Sequence, residues 1–464
     1  MDLLIRGGTV VTAGGSRLAD VAVDGERISG VLDPADGAAA AEGAGEVVDA
    51  TGLLVLPGCI DVHTHTRVGG DAEPDRFFQD TVAAVFGGTT TLFAFNNAGT
   101  GSSAAAQASL RVGLAEWQAA TSADAAIDIA LSVVVAGTME DPIADLPAVV
   151  EAGVPTAKAF MVYDFRLDDA RLFRTLEAMS RAGGMLEVHC EDPVLIDAAV
   201  AAALQRGDTL PRYHATTRRA EAEAVATHRA MEFARAADAP IHVVHLSSAL
   251  ALEEVRRAKA SGVQASAETC PHYLALTDAR YAGPVDEVIR YVISPPLRSA
   301  ADRDALWAGL ADGTLDLVAT DHVPDRLSVE KRLPAPPFPE ISNGAPGVET
   351  LLAVVYSEGV VGGRITVERM VDILATTPAR QFGLPRKGAI ERGLDADIVL
   401  FDPSAERRLT ATDLHHTSDY TPYEGLKIRG AVGSVYSRGR AVVQDGTFVG
   451  RRGRGRFVER AIAR

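Results

Sequence analysis

Cysteine is scarce in this chain of 464 residues. Its three cysteines, Cys59, Cys190 and Cys270, cannot form a disulfide framework, because one would always remain unpaired. This usage is typical of proteins in a reducing compartment. The amino terminus also lacks the basic region and long apolar core of a signal peptide. We therefore expect a cytoplasmic protein.

Two further absences narrow the class of protein. No uninterrupted apolar run is long enough to span a bilayer. Positive charge is in deficit, and the formal net charge of −17 argues against nucleic acids and anionic membranes as partners. The exception is the basic tail, residues 451–464, which carries six arginines. We expect this tail to dock on an acidic surface of the same protein or of a neighbouring subunit.

The order of strand-like and helix-like segments predicts two structural units. Residues 1–56 contain short strand-like pieces broken by glycine pairs and polar turns, which indicates a small β unit. Residues 57–384 alternate apolar strands with helical stretches, and residues 385–450 return to a β pattern. Eight regular strand–helix units favour a (β/α)8 TIM-like barrel over an open doubly wound sheet. The two terminal β segments are predicted to pair in one small β-sandwich beside the barrel.

The predicted barrel strands share an apolar composition and a length of five to nine residues. They are Ile60–His65, Thr89–Phe95, Ile127–Val135, Thr156–Met161, Met185–His189, Ile241–Leu246, Val263–Thr269 and Leu315–Asp321. The helical patterns between them include Phe77–Val85, Ser109–Thr121, Leu172–Ala182, Thr217–Ala237 and Ala249–Ala260.

A histidine pair ends the first of these strands. His63 and His65 are one residue apart, so on a strand their side chains point the same way. Imidazole pairs of this kind suit zinc and similar metals. Two half-buried histidines at a strand end explain the isolated pair equally well.

Four residues on other strands favour the metal interpretation. Lys158 lies within the fourth strand, His189 ends the fifth, His245 lies in the sixth and Asp321 ends the eighth. In barrel enzymes the carboxyl ends of the strands form the active-site face, so these side chains are expected to converge. The sequence therefore predicts a metal-dependent hydrolase.

Lys158 lies in an apolar context, where an unpaired ammonium is costly and tends to lose its proton. A neutral amine can add carbon dioxide to become a carbamate, whose two oxygens could bridge two metal ions. The alternative is a lysine that extends to the barrel rim. Among other histidines, His242 is expected to face away from His245 and to be structural. His214 is expected to be a surface or packing residue, and His272 either contacts substrate or packs a loop.

Several motifs resemble the amidohydrolase superfamily, and more closely its dihydropyrimidinase and D-hydantoinase branch. The resemblance extends over nearly the whole chain. The matching segments are Pro57–Gly58, Gly87–Thr90, His189–Asp192, Val244–Ser248, Glu268–Pro271, Ser294–Arg298, Ala319–His322, Asn343–Gly344, Gly347–Glu349 and Asp395–Val399.

The resemblance implies two divalent metal ions, usually Zn2+. His63, His65 and Asp321 would hold one ion, and His189 and His245 the other. N6-carboxylated Lys158 would bridge both ions.

The resemblance also implies the catalytic and substrate-binding residues. Asp321 would transfer the proton, Tyr163 would stabilise the oxyanion, and Ser294 and Asn343 would bind the cyclic amide through backbone groups. The implied reaction is hydrolysis of dihydropyrimidines or 5-substituted hydantoins to N-carbamoyl amino acids. The habit of the family is a homotetramer, with a homodimer as the alternative.

Two departures from the family pattern keep other substrates open. Arg67 matches the end of the His-x-His-x-Arg motif of dihydroorotases, where that arginine binds a substrate carboxylate. Residues 68–71 differ from the segment common in dihydropyrimidinases. A dihydroorotase-like enzyme is therefore the alternative, and an allantoinase is less favoured because Asn343–Gly344 replaces its Trp-Gly-Gly segment. A non-catalytic scaffold relative is least favoured, because all six ligand positions are filled.

Overall fold

The strands of the protein fall into two sheets in the computed structural model, which describes residues 1–68, 73, 75–96 and 104–462. The first strands are β1 (Leu3–Thr12), β2 (Gly15–Asp24), β3 (Arg27–Leu32), β4 (Glu46–Asp49) and β5 (Leu54–Pro57). The barrel strands are β6 (Cys59–Thr64), β7 (Thr89–Asn96), β8 (Asp128–Val134), β9 (Thr156–Phe160), β10 (Met185–His189), β11 (Ile241–Val243), β12 (Ala265–Thr269) and β13 (Leu317–Val318). The last strands are β14 (Ile398–Arg408), β15 (Lys427–Ser437), β16 (Arg440–Gln444) and β17 (Thr447–Phe448).

Strands β6 to β13 pair in parallel in chain order, which confirms the predicted barrel. Every residue of β6 and β8 is buried, as expected for parallel strands that are covered on both faces. The ring closes between β6 and the segment after β13, where Thr64 bridges His322. At the same seam the carboxylate of Asp61 accepts hydrogen bonds from the backbone N–H and the hydroxyl of Thr320, at 3.0 and 2.5 Å.

The helices lie where the hydrophobic periodicity predicts them, to within three residues for the five predicted patterns. They are α1 (Pro34–Ala40), α2 (Arg76–Phe86), α3 (Ala104–Ala108), α4 (Leu110–Thr121), α5 (Leu146–Glu151), α6 (Asp169–Ala182), α7 (Pro193–Gln205), α8 (Tyr213–Thr217), α9 (Ala220–Ala237), α10 (Ala249–Ala260), α11 (Pro271–Ala275), α12 (Val285–Val288), α13 (Ala300–Asp312), α14 (Leu351–Val355), α15 (Val367–Val371) and α16 (Thr377–Gln381). Several begin at a side chain that accepts a backbone N–H, as at Asp168, Ser248 and Ser299. Nowhere in the described ranges does a helix combine the length and hydrophobicity needed to cross a bilayer.

The second sheet is built from both ends of the chain, as predicted. Its strand order is β17-β16-β15-β14-β5-β1-β2-β3, and β4 pairs with β1. The two ends of the chain meet where β14 runs antiparallel to β5, with Ile398 opposite Pro57 and Phe401 opposite Leu54. One face of this sheet encloses its own apolar cluster, to which Ile5, Val21 and Tyr436 contribute.

The basic tail lies against acidic side chains of the same chain. Arg452 contacts Asp75 and Asp124, and Arg456 binds Glu26 at 2.7 Å. Further along, Arg460 is buried at the base of the barrel, where its guanidinium donates to the carbonyl of Leu131 at 2.6 Å.

Candidate active site

Three metal-ligating side chains converge at the mouth of the barrel. A carboxylate oxygen of Asp321 lies 3.1 Å from Nε2 of His63 and 3.2 Å from Nε2 of His65. The two imidazole nitrogens are 3.3 Å apart. All three ligand atoms lie within 4.8 Å of one another, so one ion could contact all three.

The other three ligand candidates lie beside this group. The Nζ of Lys158 is 3.4 Å from Nε2 of His63. The ring centroids of His189 and His245 are 4.4 Å apart, and those of His63 and His245 are 5.3 Å apart. The structure therefore brings all six predicted ligands into one cluster, drawn from β6, β9, β10 and the segments after β6, β11 and β13.

Three of these ligand candidates lie beyond their strands, where the sequence patterns placed them within or at the end of a strand. His65 directly follows β6, which ends at Thr64, and His245 and Asp321 lie two and three residues beyond theirs. Strand β11 ends at Val243, and β13 ends at Val318. His245 and Asp321 follow with positive φ angles of 39° and 49°, and Tyr163 has a φ angle of 75°. A non-glycine residue in this region costs about 1–3 kcal/mol and is typical of functional sites. The early strand ends are what turn His245 and Asp321 toward the cluster.

Glu268 on β12 is a central residue that the sequence analysis did not single out. Its carboxylate contacts Nδ1 of His63 and accepts the backbone N–H of His245 at 3.2 Å. The other carboxylate oxygen lies 3.1 Å from Nε2 of His242. A charged residue inside a short buried strand is the same signal that drew attention to Lys158. The contact with Glu268 shows that His242 points into the barrel. Strand alternation does not relate His242 to His245, because β11 ends at Val243.

A second carboxylate orients His189. Glu191 lies 2.8 Å from Nε2 of His189 and 2.5 Å from the guanidinium of Arg218. That guanidinium also lies 5.3 Å from the ring centroid of Tyr163. Arg218 has no local sequence signal, because it reaches the site only through the position of the α8–α9 connection.

Buried charges dominate the electrostatics of the cluster. Burial lowers the pKa of Lys158, which favours its neutral amine. Burial and Lys158 lower the pKa of His63, but Glu268 and Asp321 outweigh them and raise it to about 9. Burial raises the pKa of Asp321, but His63 and His65 outweigh burial and hold it well below its usual value. Asp321 is therefore ionised at neutral pH.

A cavity of about 440 Å3 opens above the cluster. Binding pockets for small molecules typically measure about 300–1,000 Å3, so the cavity suits a small ring with a substituent. Its polar lining includes His65, Asp321, Ser294 and Asn343, and its aromatic lining is formed by Phe95, Phe160, Tyr163 and Phe165. The Oδ1 of Asn343 is buried and has no hydrogen-bond partner in the part of the chain that the structure describes.

Tyr163 connects the aromatic and polar sides of this cavity. Its ring stacks on Phe165 with centroids 5.5 Å apart. Burial raises the pKa of Tyr163, and this effect outweighs Arg218 and a hydrogen bond with Ser294, which both lower it. The hydroxyl therefore keeps its proton at neutral pH and can donate a hydrogen bond.

Arg67 lines the cavity but is already paired. Its guanidinium lies 2.5 Å from the carboxylate of Asp325, a fully buried residue. Barrel enzymes vary their specificity through loops, so the sequence predicts that residues 67–74, 95–103 and 163–169 shape the pocket. Of these residues, 69–72, 74 and 97–103 lie outside the described part of the chain. The sequence also predicts that Phe165 and Leu167 supply an apolar wall of the pocket. Phe165 lines the cavity, but Leu167 is buried in the core.

Two other histidines differ in their relation to the cavity. His214 is buried, with Nε2 2.9 Å from the carbonyl of Ile293 and 3.2 Å from the hydroxyl of Ser294. It therefore supports one of the predicted substrate-binding residues. His272 lies in α11 beside Tyr273 and does not line the cavity.

The donor set fits divalent metal ions of the zinc type. Imidazole nitrogens and carboxylate oxygens are suitable ligands for such ions. In the described ranges Nδ1 of His245 is buried without a hydrogen-bond partner, which leaves it free to accept a metal. Glu268 and Glu191 bind ligand histidines, as carboxylates around metal sites commonly do.

We expect Glu268→Gln to weaken divalent-metal binding by about 10–100-fold, because the amide is neutral and has only one acceptor oxygen, so it cannot accept from both His63 and His242. Titration of the metal-free protein with Zn2+ against a chelating dye measures the change. Glu223→Gln is the matched control, because Glu223 is equally buried but binds Ser247, at 2.7 Å. Equal zinc affinity in the two variants would contradict the role of Glu268.

Comparison with known proteins places the chain in a family. The profile of the amidohydrolase family matches residues 54–442. The D-hydantoinase of Streptomyces coelicolor is 40% identical over 463 residues, which cover 99% of this chain and 98% of that protein. The dihydropyrimidinase of Brevibacillus agri superposes with a TM-score of 0.93 at 40% identity, and the D-hydantoinase of Bacillus sp. AR9 with 0.92 at 40% identity, each over 100% of both chains. The chain therefore belongs to the amidohydrolase family, as an enzyme related over its full length to D-hydantoinases and dihydropyrimidinases.

Proposed function

We propose that the protein hydrolyses the cyclic amide bond of dihydropyrimidines and 5-substituted hydantoins, giving N-carbamoyl amino acids. The observation that carries this proposal is the cavity itself. His63, His65 and Asp321 form one group at its base, Lys158, His189 and His245 lie beside them, and aromatic side chains face a polar wall above. This division suits a ring that carries amide groups on one side and a hydrophobic substituent on the other.

Two divalent ions, Zn2+ in our proposal, would be held by the cluster. His63, His65 and Asp321 would hold one ion, His189 and His245 would hold the other, and N6-carboxylated Lys158 would supply oxygen ligands to both. The carbamate forms when the neutral amine of Lys158 attacks carbon dioxide and loses a proton. When bound, the ions supply a Lewis acid for the substrate carbonyl and a nucleophile at neutral pH.

The side chains of the site divide the remaining work of the reaction. The ionised carboxylate of Asp321 takes a proton from the attacking water and passes it to the ring nitrogen as the C–N bond breaks. The hydroxyl of Tyr163 donates to the oxygen that gains negative charge. Backbone groups of Ser294 and Asn343 bind the N–H and C=O of the ring, which orients its scissile bond.

Arg67 favours a neutral ring over a carboxylated one. Its charge is already compensated by the buried carboxylate of Asp325. A substrate carboxylate would have to compete with this ion pair, or leave Asp325 buried without its partner, which is costly. The dihydroorotase-like alternative is therefore the second candidate, with Arg67 as its discriminating residue. A scaffold function is least favoured, because all six ligand positions are filled.

Initial rates of the zinc-loaded protein on dihydrouracil, a 5-aryl hydantoin and dihydroorotate test the proposal. We expect turnover of both neutral rings, with the aryl hydantoin faster because Phe160 and Phe165 can pack against its substituent. Turnover of dihydroorotate alone would contradict the proposal and make Arg67 a substrate ligand. An Arg67→Met variant would then abolish that activity.

We expect Lys158→Ala to lose bound metal and activity together, because the bridging oxygens are removed. Metal content by plasma mass spectrometry and the rate on the aryl hydantoin measure both effects. A small carboxylic acid such as acetate should restore part of each, since it can supply two oxygens in the vacated space. Full activity in Lys158→Ala without added acid would contradict the bridging role.

We also propose the organisation of the protein. The β unit comprises residues 1–56 and 385–450, the barrel comprises residues 57–384, and the tail comprises residues 451–464.

We propose a homotetramer, with a homodimer as the alternative. This assembly is supported by α7, which exposes Val194, Leu195 and Leu204. A monomer mass measured by light scattering would contradict this oligomeric state.

We also propose a cytoplasmic location, which is supported by the three free, buried cysteines. Cell fractionation would test it.

A further inference from the structure

Lys331 is a fully buried lysine outside the metal cluster. Its ammonium donates to three backbone carbonyls, those of Val292 at 2.8 Å, Ser342 at 2.7 Å and Gly344 at 2.6 Å. These three bonds use all the donors that a lysine ammonium has. No carboxylate among the described residues forms an ion pair with it. Burying an ammonium without an ion-pair partner is costly, so the three hydrogen bonds are what offsets the cost of its burial.

The three carbonyls belong to the two segments that form the polar wall of the cavity. Ser342 and Gly344 flank Asn343, and Val292 lies two residues before Ser294. The backbone N–H of Gly344 also donates to the carbonyl of Val292, at 3.0 Å, so the segments meet directly at the ammonium. Lys331 therefore fixes the separation of the two backbone stretches that line the cavity.

The backbone around Gly344 has little room to adjust. Gly344 has a φ angle of +130°, and a Cβ atom there would lie 2.4 Å from Cγ2 of Val323. Its carbonyl also accepts from the hydroxyl of Tyr420, at 3.2 Å. The ammonium, the hydroxyl of Tyr420 and the Gly344–Val292 backbone bond thus hold this conformation together, and only the ammonium also reaches Ser342. Burial lowers the pKa of Lys331 to about 8, and Asp325 opposes this effect, so the ammonium form predominates at neutral pH.

We propose that Lys331 is a positioning residue for substrate recognition, which sets the distance between the ring-binding backbone groups at Ser294 and at Asn343. It does not touch the substrate or the metal cluster. Its removal should therefore weaken binding of the ring and leave the chemical step largely intact. This inference rests on the proposed function, because it assigns the ring-binding role to these two segments.

Lys331→Met tests the proposal, because it keeps the length of the side chain and removes the three donors. We expect KM for a 5-aryl hydantoin to rise about tenfold or more, the scale of lost hydrogen bonds to a charged group. We expect kcat to change by less than about threefold. Zinc content should stay unchanged.

The matched control is Lys259→Met. Lys259 also donates to backbone carbonyls, those of Gly313 and Thr314, but it binds Asp316, and neither of these carbonyls belongs to a residue that lines the cavity. We expect this variant to keep both kinetic constants. A similar rise of KM in both variants would mean that general loosening of the fold, and not the position of Lys331, causes the effect.

Methylated substrates separate positioning from general stability. The same hydantoin methylated at either ring nitrogen, measured as substrate or as competitive inhibitor, lacks one N–H that the backbone would bind. We expect the KM or Ki penalty of Lys331→Met to shrink for the isomer that has lost this contact. An equal penalty on all three rings would overturn the proposal.

The remaining outcomes of these experiments also test the role of Lys331. Should Lys331→Met fail to fold, Lys331→Arg carries the test, because it keeps the charge but cannot bring three donors to one point. Loss of the fold in both variants would overturn the proposal, since the lysine would then serve the whole structure. Absence of turnover in the unmodified protein counts against the proposed function, whereas turnover with an unchanged KM in Lys331→Met counts against Lys331 alone.

Discussion

The carboxylate of Glu268 is the contact on which the arrangement of the site depends. It is fully buried in the barrel and reaches His63, His242 and the backbone of His245. Burial raises its pKa, but His63 and His242 outweigh burial and lower the pKa to about 2. A single anion thus orients two ligand candidates, His63 in β6 and His245 in the segment after β11. Together with the buried carboxylate of Asp321, it supplies the negative charge that raises the pKa of His63.

Around this anion the site is organised in shells of decreasing burial. Lys158, His63 and Glu268 are completely enclosed, whereas Arg67 and Phe165 are partly exposed at the rim. The enclosed groups are charged or metal-ligating, and the rim groups are aromatic or already ion-paired. This order encloses the candidate metal ligands deep in the barrel and leaves the aromatic and ion-paired groups at the mouth of the cavity. Lys331 belongs to neither shell, because it acts on the backbone behind the polar wall.

Local patterns predicted the strands and the ligand candidates, because periodicity and a polar residue within an apolar run are both visible in the sequence. Apolar runs mark strands that are buried on both faces, and the spacing of His63 and His65 follows from strand alternation. The same rule was wrong for His242 and His245, because β11 ends at Val243 and the backbone then adopts a left-handed conformation. No short pattern predicts where a strand stops pairing, since this depends on the neighbouring strands.

The sequence by itself determined the barrel, the terminal β unit and the six ligand candidates, because each depends on composition and periodicity within a few neighbouring residues. Only the tertiary structure decided which partners these residues have. Arg67 meets Asp325 across 258 positions, Arg218 meets Glu191 across 27, and Lys331 joins carbonyls 39 and 13 positions away. Such pairs leave no local signal, because closure of the barrel, and not the spacing along the chain, brings them together.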